Sequence, residues 1–203
     1  MMDKYNKEIN NMIKSVMAGF MIALAATFNI VIGGIIGAIV FSLGLITILF
    51  NGYNLFTGKA GLLARNEIHP MELCSIWFGN FVGTMSLGVL IGATDLAQPV
   101  GEAAQAINAI RVENIPFTNL VMGMICGILM SLAVYFYNYN RIYLTIMCVA
   151  TFVLFGANHC VADMFYLLMG NSLMPLIPLV STTVGNIIGC NLVGYVNKYV
   201  KKQ

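Results

Sequence analysis

Two stretches decide how this chain is read: Leu55-Phe56-Thr57-Gly58-Lys59 and Asn158-His159-Cys160-Val161-Ala162-Asp163. Each interrupts a long apolar run. Each is followed about one helix later by the same pattern, Gly79-Asn80-Phe81-Val82-Gly83 and Gly185-Asn186-Ile187-Ile188-Gly189. Paired interruptions in matching places of two halves are the sequence mark of a transport site built from inverted repeats. Irregular backbone at membrane depth survives only where it is buried in protein or lines a cavity. The two breaks therefore point to a pathway, and Thr57 and His159 mark its position.

Working outward, the composition sets the solvent. Of 203 residues, 59% are hydrophobic and 9% are charged, where a soluble domain carries about 25% charged residues. This predicts an all-α integral membrane protein of one domain, residues 1–203, lying in a lipid bilayer. The net charge of +2 comes from basic residues that flank apolar spans, not from the clustered face of a nucleic-acid binder. Cys74, Cys126, Cys148, Cys160 and Cys190 fall singly on separate spans, with no Cys-x-x-Cys pair. They read as small packing residues rather than as a zinc site or a disulfide framework. No cofactor and no metal is expected.

Six spans near the ~20 residues a bilayer needs can be drawn. They cover residues 12–32, 34–65 with a break at 51–59, 72–93, 116–137, 142–169 with a break at 156–163, and 173–195. Gly33-Gly34 is the expected turn between the first two. The result is two inverted three-helix repeats, 12–93 and 116–197, with helices 2 and 5 broken. With both termini inside, the inner side holds Lys4, Lys7, Lys14, Lys59, Arg65, Arg141, Lys198, Lys201 and Lys202, and only Arg111 lies outside. Basic residues concentrate on the cytoplasmic side, so both termini are expected in the cytoplasm and the chain in the plasma membrane. The longest loop, 94–115, is then external, with an amphipathic helix at 102–111. Glycines four apart, at 33/37, 79/83, 88/92, 123/127 and 185/189, suit close helix packing.

The residues at the breaks resemble the formate/nitrite transporter family of formate, nitrite and hydrosulfide channels. Leu55-Phe56-Thr57-Gly58 is similar to the family's loop in the second helix. Gly156-x-x-His159-x-x-Ala162-x-Met164 is similar to its break in the fifth, and the Gly-Asn-x-x-Gly steps in helices three and six also match. The resemblance implies Phe41 and Phe152 as an outer constriction and Leu45, Leu55 and Phe56 as an inner one. It puts the vestibule cation at Arg111. It further implies an aquaporin-like fold and a homopentamer with one pore per subunit. Four positions depart from the family pattern: Asn158 where an acidic residue usually precedes the histidine, Asp163 in place of an asparagine, Gly127 in place of an asparagine of the fourth helix, and Arg111 in place of lysine.

The chemistry of these residues fits a small monovalent anion of a weak acid. A bare anion in an apolar slit is very costly, while its neutral acid is not. Arg111 attracts anions to the mouth but cannot give up a proton. His159 offers a hydrogen-bond donor or a proton at depth, with the Thr57 hydroxyl as its partner. Asp163 has two open readings, an anchor of the broken fifth helix in place of an acidic residue at Asn158, or a carboxylate facing water near the inner mouth. Lys59 reads as snorkelling to the inner surface and His69 as solvated. The alternative is a neutral-solute, aquaporin-like channel, which would need the paired Asn-Pro-Ala breaks this chain lacks. A membrane enzyme is not expected.

Overall fold

The computed structural model describes residues 2–200, with side chains from 5 to 198. Lys201 and Lys202 of the orientation argument, and the Lys4 side chain, lie outside the described residues. Among those residues the chain is helical throughout, in nine helices: α1 (Met2–Ile32), α2 (Gly34–Phe50), α3 (Phe56–Ala60), α4 (Pro70–Gly92), α5 (Ala97–Glu113), α6 (Pro116–Asn138), α7 (Ile142–Phe155), α8 (Cys160–Met169) and α9 (Leu176–Val200).

Helices α1, α4, α6 and α9 are long and apolar enough to cross a membrane alone. α7 and α8 make one span bent by 48° at the break. α2, at 17 residues, is the counterpart of α7, at 14, and α3 follows it after the first break as α8 follows α7. Four helices and one bent pair are thus long and apolar enough to cross, and the arrangement is consistent with the six spans drawn from the sequence. Large apolar side chains cover the outside: Phe50 is 80% exposed and Leu173 73%. A soluble monomer rarely shows so much contiguous apolar surface.

Sequence explains the ends. Gly33 and Gly34 take φ of +71° and +57°, left-handed values that glycine adopts without steric cost, so one residue suffices to turn α1 into α2. Pro70 and Pro116 stand at the first helical positions of α4 and α6, where a missing N–H is harmless. His69, expected to be merely solvated, caps α4: its Nδ1 accepts the Met71 N–H at 3.2 Å. α1 begins about ten residues before the expected span. The added turns carry Lys7 and Glu8 beside exposed Ile9 and Ile13, a helix extending past the apolar stretch.

Packing repeats between the halves. α1 packs on α4 and α2 as α6 packs on α9 and α7. The half-helices cross over, α3 against α9 and α8 against α4, which interlocks the repeats. Glycine makes the close approach possible. A Cβ on Gly83 would strike the Val16 carbonyl and a Cβ on Gly189 the Met124 carbonyl. Gly33 and Gly92 have nothing within 4 Å of a built Cβ, so those two members of the four-apart glycine pairs do not serve packing. Gly127, read as the vacant place of a fourth-helix asparagine, abuts the Asn186 carbonyl and the Cys190 N–H. No side chain fits there.

Gly189→Val should therefore cost about 1–3 kcal/mol by overpacking and lower the thermal unfolding midpoint in detergent, while Gly92→Val should be close to neutral. Equal midpoints for the two variants would contradict this packing account.

Candidate functional site

Both breaks are held by one device used twice. A helix that restarts inside the protein presents N–H groups with no intrahelical partner. In the first break, Asn80 of α4 accepts the Phe56 N–H on its Oδ1 at 2.8 Å. Its Nδ2 donates to the Ser15 carbonyl at 2.7 Å and the Asn54 carbonyl at 2.9 Å. In the second, Asn186 of α9 accepts the Cys160 N–H at 2.9 Å. Its Nδ2 donates to the carbonyls of Gly123 and Asn158, both at 2.8 Å. These asparagines stand at the same place in the two Gly-Asn-x-x-Gly steps. Their duplication was visible in the sequence, but their role as holders of the breaks was not assigned.

With the first N–H groups of α3 and α8 satisfied, helix resumes earlier than expected. Phe56, Thr57, Gly58 and Lys59 are helical, as are Cys160 to Asp163. The irregular stretches shrink to residues 51–55 and 156–159.

His159 lies at the restart of α8, 2% exposed, and both ring nitrogens are used. Nδ1 accepts the Ala162 N–H at 3.2 Å, capping the helix. An accepting Nδ1 carries no proton, so in the neutral ring the hydrogen is on Nε2. Nε2 meets Thr57 Oγ1 at 3.0 Å, and that hydroxyl is the acceptor. One bond thus joins the two breaks across the middle of the chain. Cys190 supports it from behind, its thiol facing the Thr57 carbonyl at 3.2 Å and the Gly127 carbonyl at 3.3 Å.

Beside His159 is a cavity of about 160 Å³ lined by Phe41, Phe152, His159, Arg111, Asp163 and Tyr166 among others. The Phe41 and Phe152 rings meet edge to face, centroids 5.7 Å apart, and Phe152 stacks on the His159 ring at 5.7 Å. The phenyl pair thus covers the imidazole. Leu45, Leu55 and Phe56 are buried in the same apolar core but do not line this cavity.

Arg111 is not a solvated loop residue. The 94–115 segment forms α5 along most of its length, packed on α8, with Asn108 Nδ2 donating to the Tyr166 carbonyl at 2.8 Å. The Arg111 side chain is only 12% exposed, with its Nε 3.6 Å from Asp163 Oδ1. Its Nη1 reaches the Gly156 carbonyl at 3.4 Å. Asp163 therefore faces α5 in the first turn of α8, where a negative charge suits the helix N-terminus. The reading that placed it in water near the inner mouth is overturned. Asn158 points away from the cavity. Its Nδ2 donates to Asn119 Oδ1 at 3.0 Å and Thr182 Oγ1 at 3.3 Å. Asn119, the fourth-span asparagine that does reach the break, donates onward to the Arg111 carbonyl at 2.8 Å. Lys59 lies half-buried in the last turn of α3, away from the cavity. Among the described residues no group of three or more His, Cys, Asp and Glu is placed to hold a metal.

Comparison with known proteins places this geometry. A family model described as formate/nitrite transporter matches residues 1–199. The formate channel FocA of Haemophilus influenzae (strain ATCC 51907 / DSM 11121 / KW20 / Rd) is 31% identical over 153 residues, covering 67% of this chain and 54% of its own. The chain thus spans about half the length of that curated relative. Among solved structures, a pentameric formate channel with formate bound matches with a TM-score of 0.82 at 22% identity, over 98% of this chain and 99% of that one. An FNT family ion channel matches with a TM-score of 0.84 at 19% identity, over 98% and 92%. At such identities these structures show the fold.

The asparagine clamps give a direct test. Asn80→Ala and Asn186→Ala each strand one buried N–H and two buried carbonyls, at about 1–3 kcal/mol for each group left unpaired. Each should lower the unfolding midpoint markedly. A midpoint unchanged in either variant would show that the breaks are held by something else.

Proposed function

The chain belongs to the formate/nitrite transporter family, a family of channels and transporters, and we propose that it passes small monovalent anions of weak acids, of the formate, nitrite or hydrosulfide type. The observation that carries the proposal is the cavity itself. An imidazole, a guanidinium and a carboxylate share about 160 Å³ with two phenyl rings that meet edge to face.

Such a slit discriminates by charge. A permanent ion that enters between Phe41 and Phe152 loses its water and gains no comparable partner, whereas a neutral acid loses little. Anions approach through the field of Arg111 and cross as the proton-bearing species. His159 and Thr57 form the polar step at mid-depth, with Nε2–H and the hydroxyl as hydrogen-bonding groups. Leu45, Leu55 and Phe56 form the inner constriction. Asn158 holds the histidine segment against α6 and α9, and Asp163 pairs with Arg111.

The working unit is a homopentamer with one pore in each subunit. The likeness in fold to a pentameric formate channel supports this reading, as does the extent of exposed apolar surface. The protein is a multi-pass protein of the plasma membrane with both termini in the cytoplasm, on the strength of the Lys and Arg distribution. Each subunit is one transmembrane channel domain, with repeats at about 12–93 and 116–197.

Proteoliposomes offered formate, nitrite, hydrosulfide and glycerol test the proposal. Weak-acid uptake without glycerol swelling is expected, and the reverse would identify a neutral-solute channel. His159→Phe should abolish weak-acid uptake while the oligomer stays intact on size exclusion. Uptake at the wild-type rate would remove His159 from the pathway.

The constrictions carry a separate prediction. Phe152→Ala and Leu55→Ala each delete several carbons from a narrow point, so each should raise lactate uptake relative to formate. An unchanged lactate-to-formate ratio in both variants would put the pore elsewhere.

A further inference from the structure

The outer cavity contains two polar atoms that the channel reading leaves unused. Arg111 Nε and Asp163 Oδ1 are buried without a hydrogen-bond partner, although they stand 3.6 Å apart. Both residues line the cavity beside His159. The first is a permanent donor. The second is an acceptor when ionised and a donor when protonated. Resting on the weak-acid reading above, we infer that Asp163 is the proton-exchanging group of this cavity and transfers its proton to a substrate anion held beside it by Arg111.

The geometry matches the two states of the substrate. A neutral weak acid of this class offers at least one acceptor atom and at least one acidic hydrogen. A carboxylic acid lying alongside the pair accepts from Arg111 Nε–H through one oxygen and donates to Asp163 Oδ1 through the other. Before transfer, the anion accepts from both Arg111 and the protonated Asp163. In the step, the Asp163 O–H bond breaks and an O–H bond forms on the substrate. The carboxylate left behind pairs with Arg111 as in the structure, and a proton from the outer solution reaches it together with the next anion.

Charge accounting favours the same order. The closed pair is neutral. Protonated Asp163 with Arg111 and an anion is neutral. Ionised Asp163 with Arg111 and the neutral acid is neutral again. No state puts an unbalanced charge into the cavity, where one would cost several kcal/mol. Anion and proton are thereby obliged to enter together.

The other groups facing Asp163 are less suited. Arg111 from α5 does not deprotonate. His159 has its Nδ1 committed to the Ala162 N–H and its Nε2 turned to Thr57, so neither nitrogen offers the cavity a proton. Tyr166 and Cys160 of α8, Cys126 of α6 and Thr182 of α9 lie near Asp163, and these are weak acids at neutral pH. α1 contributes Asn29 to the lining and α2 and α7 contribute phenyl rings.

The test is formate uptake into proteoliposomes against external pH. If substrate were protonated only in bulk water, the rate would fall about tenfold per pH unit above the pKa of formic acid. Wild type should fall less steeply over the pH range in which Asp163 beside a bound anion keeps its proton, because the group then delivers protons within the cavity. Asp163→Asn should follow the full tenfold slope, with uptake at pH 7 reduced at least about tenfold, and Asp163→Glu should restore a shallower slope. A wild-type slope in assembled Asp163→Asn would overturn the inference. Should that variant not assemble, infrared difference spectra decide on wild type: ¹³C-formate should perturb a protein carboxyl band that moves in Asp163→Glu, and no such band would also overturn it. Loss of all weak-acid uptake in wild type would instead remove the functional reading on which this rests, and the inference with it.

Discussion

Everything in this molecule depends on satisfying two short runs of non-helical backbone in the middle of an apolar protein. Water is absent there, and an unpaired N–H or carbonyl costs several kcal/mol. Asn80 and Asn186 meet the cost with a primary amide, a side chain that can accept one bond and donate two. Each amide binds the restarting half-helix, the irregular residue before it and a neighbouring span. No other uncharged side chain offers this combination at that length except glutamine. The glycine before each asparagine and the glycine three after it let the neighbouring span approach closely enough for the amide to reach. The repeated five-residue step is thus a mechanical unit: two small residues for contact and one amide for the backbone.

Because the amide sits on the third span of a repeat, each break is fastened within its own half. The crossing of α3 onto α9 and of α8 onto α4 then ties one half to the other. The Thr57–His159 bond lies where the crossings meet. Its strength as a structural link comes from the histidine serving twice, as the cap of α8 and as the donor to α3. A residue expected only to handle substrate also fixes the register of the two breaks. This dual use constrains the tautomer, and hence what the imidazole can offer to a passing molecule.

The sequence revealed those parts that repeat. Paired interruptions, the duplicated Gly-Asn-x-x-Gly step and the Gly33-Gly34 turn gave six spans and located Thr57 and His159 together. It did not reveal the lengths of the breaks, because the caps that shorten them come from residues 24 and 26 positions away. The His69 cap was missed since a lone loop histidine before proline carries no periodic signal. Arg111 was placed at the vestibule by the resemblance alone, and its burial and its pairing with Asp163 cannot be read until α5 is known to pack on α8. Gly127 misled for the opposite reason: aligned with an asparagine position, it is in fact a backbone contact, and the amide that reaches the break comes from Asn119, two turns earlier in α6.

The asparagine at 158 and the aspartate at 163 suit what each position faces. Residue 158 is in the extended segment against α6 and α9, where its neighbours Asn119 Oδ1 and Thr182 Oγ1 both serve as acceptors. An amide can donate to both, and an ionised carboxylate can donate to neither. With asparagine there, a one-way chain of donors runs from Asn158 through Asn119 to the carbonyl of Arg111, fastening the end of α5 to the histidine segment. Residue 163 is one turn into α8, beside a guanidinium and near the positive end of a helix. Both favour an anion, so a carboxylate, which at 158 could accept from the Thr182 hydroxyl but would face the Asn119 Oδ1 acceptor, is better stabilised at 163. At 163 the carboxylate lines the cavity beside His159 and Arg111. A charge needed only for structure would be better placed out of reach of that cavity. Its position beside Arg111 ties the first turn of α8 to α5 through opposite charges.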